Sequence, residues 1–386
     1  MSDLLNLRKF VSPELIFGSG ARKLAGRYAR QFLASKVLLV TDEGIIKAGW
    51  LTDVEESLNE AGVPYHVFSN VTPNPRVDEV MKGAEIYRDH GCDIIIAIGG
   101  GSPMDCAKGI GMVCSNNMHI LEFEGVDKIH TPVPPMIFIP TTAGTSADVS
   151  QFCIISNKDE LVKIAIISKA IVPDIALIDP ETTTTMDPYL TACTGIDALV
   201  HAIEAFVSIG SGALTDAYAI EAIKLVNQNL PTLLRNQANV ELRESIMLAS
   251  MKAGLAFSNA SLGAVHAMAH SLGGFLDLPH GECNALLLNH VINYNYDSAM
   301  EKFRVIAEAM GIDTRGLTGR MIKEQLMTRI SILKSDVGIT NQLKAKGVKT
   351  SDTQELARKA VKDACMLTNP QKANRRDIEV IYEEAM

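Results

Sequence analysis

The sequence predicts an α/β domain with a parallel sheet followed by an all-helical domain. Three observations predict it. Short β-branched runs alternate with amphipathic helical stretches through the first half, and two of those runs end in loops of glycine or other small residues. After Pro188, long Ala/Leu/Met/Glu-rich segments replace the strands. The boundary falls near residues 180–188, giving an α/β domain over 1–185 and a helical domain over 186–386. At 386 residues and 47% hydrophobic content, the chain is long enough to bury two such cores.

In chain order, KVLLVTDE at 36–43 reads as a buried strand and the stretch to Ala61 as a helix. YHVF at 65–68 is a second short strand, followed by the proline-punctuated loop VTPNPR. Between Arg76 and His90, the residues Val77, Val80, Met81, Ala84 and Tyr87 recur at helical spacing. DIIIAIGGGS, from Asp93, is an apolar strand that breaks at three glycines. Pro103 suits the first turn of the helix that follows, with Ser102 as its N-cap. MIFIPTTAGTS, from Met136, repeats the pattern of an apolar strand ending in a small-residue loop. FCIIS, KIAIIS and IALID carry further β-like runs as far as Asp179. Lys344 to Thr353 reads as a surface connection, and no internal repeat is visible.

Composition excludes several classes. A net charge of −9 without a Lys/Arg-rich run argues against nucleic acid as a partner. Seven cysteines, odd in number and without a CxxC pair, support neither a zinc ribbon nor a disulfide framework. The N-terminal residues show no secretory pattern, and no uninterrupted apolar run reaches the roughly 18 residues of a membrane span. A cytoplasmic protein with no membrane partner is the expectation.

The glycine loop Gly99-Gly100-Gly101-Ser102 stands between a strand and a helix. There backbone N–H groups can approach a phosphate and the helix N-terminus favours negative charge. Neither GxGxxG nor the P-loop pattern occurs, so a tight turn without a ligand is the competing reading. The loop Thr141-Thr142-Ala143-Gly144-Thr145-Ser146 offers hydroxyls and backbone donors at a second strand end. Ligands of open parallel sheets sit at carboxyl ends of strands, so two such loops together favour a nucleotide. Asp42, closing the first strand, either accepts from ribose hydroxyls, favouring NAD over NADP, or caps a helix.

The helical half carries a candidate metal centre. Asp197 and His201 are four residues apart in TACTGIDALVHAIEAF, as are His266 and His270 in LGAVHAMAHSLGGFLDLPHG. Residues at that spacing differ by only about 40° around a helix and share a face. His280 follows a proline, in a loop that can swing back beneath that face. Asp197, His201, His266 and His280 would give one carboxylate and three imidazoles, a set suited to Fe(II) or, alternatively, Zn(II). HAMAH lacks the glutamate of HExxH, so a metalloprotease is excluded. His270 is best used beside the metal as a proton relay or substrate contact.

GGGSPMDCAK, PTTAGTSADV, TACTGIDALVHAIEAF and LGAVHAMAHSLGGFLDLPHG together closely resemble the iron-containing, group III alcohol dehydrogenases, from Phe17 to Thr368. The resemblance implies the dehydroquinate synthase-like architecture: an N-terminal NAD-binding α/β domain, a helical metal-binding catalytic domain, and a cleft between them. It places Asp197, His201, His266 and His280 as metal ligands and His270 near the nicotinamide. Asp42, Asn74, Gly99, Gly100, Gly101, Ser102, Thr141, Thr142, Thr145 and Lys163 fall at its cofactor-binding positions. Phe152, Phe257 and Cys365 fall at substrate-pocket positions. The implied activity is reversible hydride transfer between a small primary alcohol or diol and its aldehyde, with NAD and Fe(II) as cofactors and a homo-oligomer, dimer or higher, as the assembly. Asp148 stands where the family usually has glutamate, Asp187-Pro188 where it has two prolines, and Cys193 adds a thiol beside the metal helix. A dehydroquinate synthase-type lyase is the alternative within the same fold, but it would need several Lys and Arg side chains, and His266 to His290 contains none. A non-catalytic nucleotide-binding scaffold is the alternative from another class.

Overall fold

A computed structural model describes residues 9–276, 278–340 and 342–386. Its first half is built on six parallel strands, β1 (Glu14–Phe17), β2 (Val37–Val40), β3 (Tyr65–Phe68), β4 (Ile94–Gly99), β6 (Met136–Pro140) and β9 (Ile175–Ile178). Between them come β5 (Gly125–Val126), β7 (Phe152–Asn157) and β8 (Val162–Ile167), which form a separate small sheet. The large sheet runs β1-β9-β6-β4-β2-β3. Alternation along each strand sends Leu38, Val40, Ile95, Ala97 and Phe138 to one face and Val37, Leu39, Ile94, Ile96 and Ile139 to the other. Both sets are buried. α4 (Val77–Asp89) and α5 (Gly101–Asn116) cover the first face; α1 (Ala25–Gln31) and α3 (Trp50–Glu60) cover the second.

Four local differences from the sequence reading have physical causes. The helix expected up to Ala61 is two helices, α2 (Glu43–Ala48) and α3, because Gly49 takes a left-handed φ of 85° between them. β1 and β5 were not anticipated; each is four residues or shorter, too short for a periodic signal. FCIIS and KIAIIS do not extend the parallel sheet but pair antiparallel as a hairpin. The segment from Lys344 to Thr353 is mostly exposed, as a surface connection is, but it holds 3-10 turns pinned by the buried Val348 and Thr353.

From Pro188 onward, every regular element among the described residues is helical. They are α6 (Pro188–Val207), α7 (Ala213–Arg235), α8 (Val240–Ala260), α9 (Ala264–Leu276), α10 (His280–Asn295), α11 (Met300–Ala309), α12 (Gly319–Asp336), α13 (Thr353–Ala360) and α14 (Arg375–Glu384). Asp187 caps α6 by accepting from the Leu190 N–H at 2.9 Å, and Pro188 fits the first turn. By length and composition α6 could cross a membrane, a window the sequence reading did not register; 94% of that window is buried inside the protein, as for a core helix. The two halves meet in a polar seam. Ser146 Oγ donates to Ser250 O at 2.7 Å, and Gln151 Nε2 donates to Ser258 O at 2.5 Å. Asn259 Nδ2 donates to Val11 O at 3.0 Å.

Candidate active site

A cleft of about 370 Å³ opens between the halves at the carboxyl ends of β4 and β6. Gly100, Gly101 and Ser102 of one small-residue loop, Thr142 and Thr145 of the other, and Asn74 and Lys163 line it from the α/β side. The loops touch: a Cβ on Gly100 would stand 3.1 Å from Thr142 Cγ2, and one on Gly101 3.0 Å from Thr145 Cγ2. Gly99, at φ 155°, and Thr141 lie behind this surface, joined by a hydrogen bond of 2.8 Å from the Thr141 N–H to Gly99 O. Ser102 is not the N-cap. Gly100 holds that position, α5 begins at Gly101, and the Ser102 hydroxyl accepts from the Asn74 N–H at 3.2 Å. The turn at Gly99 starts the helix two residues earlier than Pro103 suggested. Lys163 Nζ donates to Asn74 Oδ1 at 2.7 Å. Asp42 takes the capping role: its Oδ1 accepts from the Ile45 N–H at 3.0 Å, and it does not line the cleft.

Two charged residues escaped the sequence reading. Asp105 lines the cleft and accepts from the Ile154 N–H at 3.1 Å; burial pushes its carboxyl up to about 6. Lys108, fully buried, donates to Ser150 O at 2.9 Å and Phe152 O at 2.7 Å, fixing the start of β7 where Phe152 enters the cleft. Their spacing in SPMDCAK, directly after the glycine loop, was the available signal. Burial likewise raises Asp148 to about 6.

On the helical side, α6 and α9 bring Asp197, His201 and His266 together, with potential ligand atoms all within 4.8 Å of one another. His280 stands just outside that set, its ring 5.3 Å from those of both His266 and His270. It is not in a loop: Pro279 is the N-cap and His280 opens α10. Asp197 is almost wholly buried, and burial raises its pKa. Among the described residues it forms no ion pair with lysine or arginine; His201 stands at 4.0 Å and His266 at 3.9 Å, and the more distant Lys163 charge only partly offsets the effect of burial. Burial lowers the pKa of both histidines, so they are neutral acceptors rather than counter-charges. Asp197 Oδ1 accepts from the neutral amide of Asn284 at 2.7 Å, and that amide also lies 3.1 Å from His266 Nε2. Among the described residues Asn284 Oδ1 has no hydrogen-bond partner. A buried carboxylate facing neutral imidazoles is costly unless a cation balances it. The donor set therefore fits a divalent metal.

The ring orientations agree. His201 Nδ1 faces Gly144 O at 3.2 Å, His266 Nδ1 faces Glu204 Oε2 at 2.7 Å, and His270 Nδ1 faces Asp363 Oδ2 at 2.8 Å. Each acceptor places the ring proton on Nδ1 and leaves the Nε2 lone pair to face inward, where at His266 it meets the Asn284 amide at 3.1 Å. Glu204 also accepts from the N–H groups of Gly263, Val265 and His266, at 3.1, 2.6 and 3.3 Å, at the start of α9. Burial pushes its carboxyl up to about 7 against those bonds. Burial acts upward on Asp363 too, but His270 and the hydrogen bonds outweigh it, so its pKa is lowered. Glu204, Asp363 and Asn284 had no pattern in the sequence to single them out.

Phe152 and Phe257 both line the cleft, ring centroids 5.4 Å apart, and Phe257 stacks on His201 at 4.2 Å. Leu190, Leu262 and Cys193 share that wall. Cys365 does not line it: it is fully buried, its Sγ within 4.8 Å of potential ligand atoms of both His270 and Asp363. The close approach of α10 to α6 depends on Gly281, where a Cβ would overlap the Cys193 carbonyl oxygen. That oxygen is backbone and cannot swing aside. Gly281→Ala is expected to destabilise the protein by about 2 kcal/mol or more and to weaken metal retention, read from denaturation midpoints and metal content after dialysis. A variant unchanged in both would show that the helices separate freely.

Comparisons with known proteins agree with this geometry. The family model for iron-containing alcohol dehydrogenase matches residues 12–180, and that for the C-terminal part of the Fe-containing alcohol dehydrogenase family matches residues 191–386. A 1,3-propanediol dehydrogenase of Citrobacter freundii is 41% identical over 371 residues, covering 96% of each chain. The crystal structure of a 1,3-propanediol oxidoreductase superposes with a TM-score of 0.95 at 39% identity, covering 99% of this chain and 100% of that one. A sulfoacetaldehyde reductase from Bifidobacterium kashiwanohense, solved in complex with NAD+, gives a TM-score of 0.86 at 29% identity, covering 98% of both chains.

Proposed function

This chain belongs to the iron-containing alcohol dehydrogenase family, and we propose that it is an NAD-linked, metal-dependent dehydrogenase interconverting a small primary alcohol or diol and its aldehyde. The observation that carries this reading is the buried Asp197 carboxylate facing neutral imidazoles, with no lysine or arginine ion-paired to it among the described residues, in the same cleft as two loops rich in backbone donors.

A metal held by Asp197, His201, His266 and His280, with NAD along the glycine loop, would supply a Lewis acid for the substrate oxygen and an acceptor for hydride. Fe(II) is the ion proposed, with Zn(II) the alternative. The chain's own groups do the rest. N–H groups at the start of α5 and the hydroxyls of Thr142 and Thr145 hold phosphate oxygens. Lys163, set by Asn74, presents an ammonium to the same ligand. Phe152, Phe257, Leu190 and Leu262 exclude water and favour short uncharged substrates. His270 offers Nε2 to the cleft while Asp363 holds its Nδ1 proton, so it takes the proton released from the substrate hydroxyl and passes it outward. The seven cysteines are all free, which suits a reducing, cytoplasmic setting.

The test is anaerobic NADH formation from short alcohols and diols by protein stripped and separately reloaded with Fe(II) or Zn(II). Restoration by one ion, with turnover of small primary alcohols, is expected. NAD binding without turnover of any alcohol or aldehyde under either ion would overturn the reading.

A further inference from the structure

The hairpin formed by β7 and β8 carries Lys163 into the cleft from the α/β half, but its outer end is held by the helical half. Lys359 of α13 donates from Nζ to Glu160 O at 2.8 Å and to Leu161 O at 3.0 Å, across about 200 residues of chain. Leu161 stands at φ 50°, a left-handed conformation unfavourable for leucine, and its side chain is 52% exposed. Its own burial does not offset that conformation, so the turn depends on an outside contact to keep its shape. The strand beyond it lies directly on α9, the helix of His266 and His270. A Cβ on Gly274 would stand 2.8 Å from Val162 Cα, and one on Gly273 3.2 Å from Lys163 Nζ. A second cavity, of about 410 Å³, lies under this clasp and shares Lys163 and His270 with the main cleft.

The polar seam between the halves is therefore unequal. Along one side, Ser146–Ser250 and Gln151–Ser258 are buried hydrogen bonds. At the outer turn of the hairpin, beyond where β8 packs on α9, a partly exposed lysine makes a polar connection. We infer that Lys359 is a positioning residue: by clasping the Glu160 and Leu161 carbonyls it presses the hairpin onto α9, sets Lys163 in the cleft, and acts as the latch that must open for the cofactor to leave. This rests on the cofactor reading of the cleft. It assigns to Lys359 the rate of cofactor release rather than the chemistry.

Lys359→Met keeps the apolar stem and removes the donors. Stopped-flow fluorescence should show NADH dissociation three- to tenfold faster than from wild type, and KM for NAD should rise while KM for the alcohol holds. Hydrogen exchange in the ligand-free protein should speed up at amides 158–163 and not along α6. Lys359→Arg, which can donate to both carbonyls, should restore slow release. An unchanged dissociation rate in Lys359→Met, with wild type binding NADH normally, would overturn the latch alone. Failure of wild type to bind NADH would overturn both the latch and the cofactor reading. Equal rises in KM for NAD and alcohol would also overturn the latch, because the lysine would then act on general stability.

Discussion

Replacing His266 by alanine is expected to abolish metal retention and alcohol turnover together while leaving the fold in place. His266 presents Nε2 beside Asp197, 3.9 Å from its Oδ1, and its ring stacks with His201 at 4.5 Å, so its loss removes a ligand from the centre of the set. The effect should exceed the 10–100-fold loss typical of an orienting partner, because a ligand rather than its support is gone. The fold should survive, since the Glu204 carboxylate keeps the three backbone N–H groups it already accepts. Metal content after dialysis against a mild chelator, turnover of a short alcohol, and the thermal midpoint check the three parts. An active, metal-free variant would remove the basis of the metal-centre assignment.

The parts of this site that were legible in the sequence are those with a period or a run. Asp197/His201 and His266/His270 announce themselves because residues four apart share a helix face, and two apolar runs ending in GGGS and TTAGTS mark strand ends. The helical second half was legible for the same reason. What sequence could not carry were pairings between distant single residues. Glu204 lies on the same helix as His201, but its partner His266 is 62 residues away. Asp363 meets His270 across 93 residues. Neither carboxylate differs in sequence from an ordinary solvated acid. Local backbone choices were the other blind spot. Ser102 and Asp42 both looked able to cap a helix or to serve a ligand; the turn at Gly99 moved Ser102 inside its helix, whereas Asp42 caps. Cys365 was placed by resemblance in the pocket, yet the 3-10 turn capped by Asp363 holds it in the core.

Glu204 should prove nearly as important as the ligands it never joins. Its carboxylate accepts four donors, three backbone N–H groups opening α9 and the Nδ1 proton of His266. It thus compensates the helix N-terminus and fixes the imidazole tautomer with one group. Glu204→Gln retains one oxygen acceptor and places an NH2 group among those donors. Either a helix N–H loses its partner, or His266 gives up its Nδ1 proton and carries it on Nε2, the atom facing Asp197. Metal affinity is expected to fall 10–100-fold in a protein that still folds. Glu204→Leu removes every acceptor and leaves three buried N–H groups at about 1–3 kcal/mol each, so it should lose stability first. The pair separates the two roles: metal titrations report the tautomer in the Gln variant, and denaturation midpoints report the helix terminus in the Leu variant. Wild-type metal affinity in Glu204→Gln would show that the tautomer is set by Asp197 and Asn284 instead, and the orienting role would pass to them.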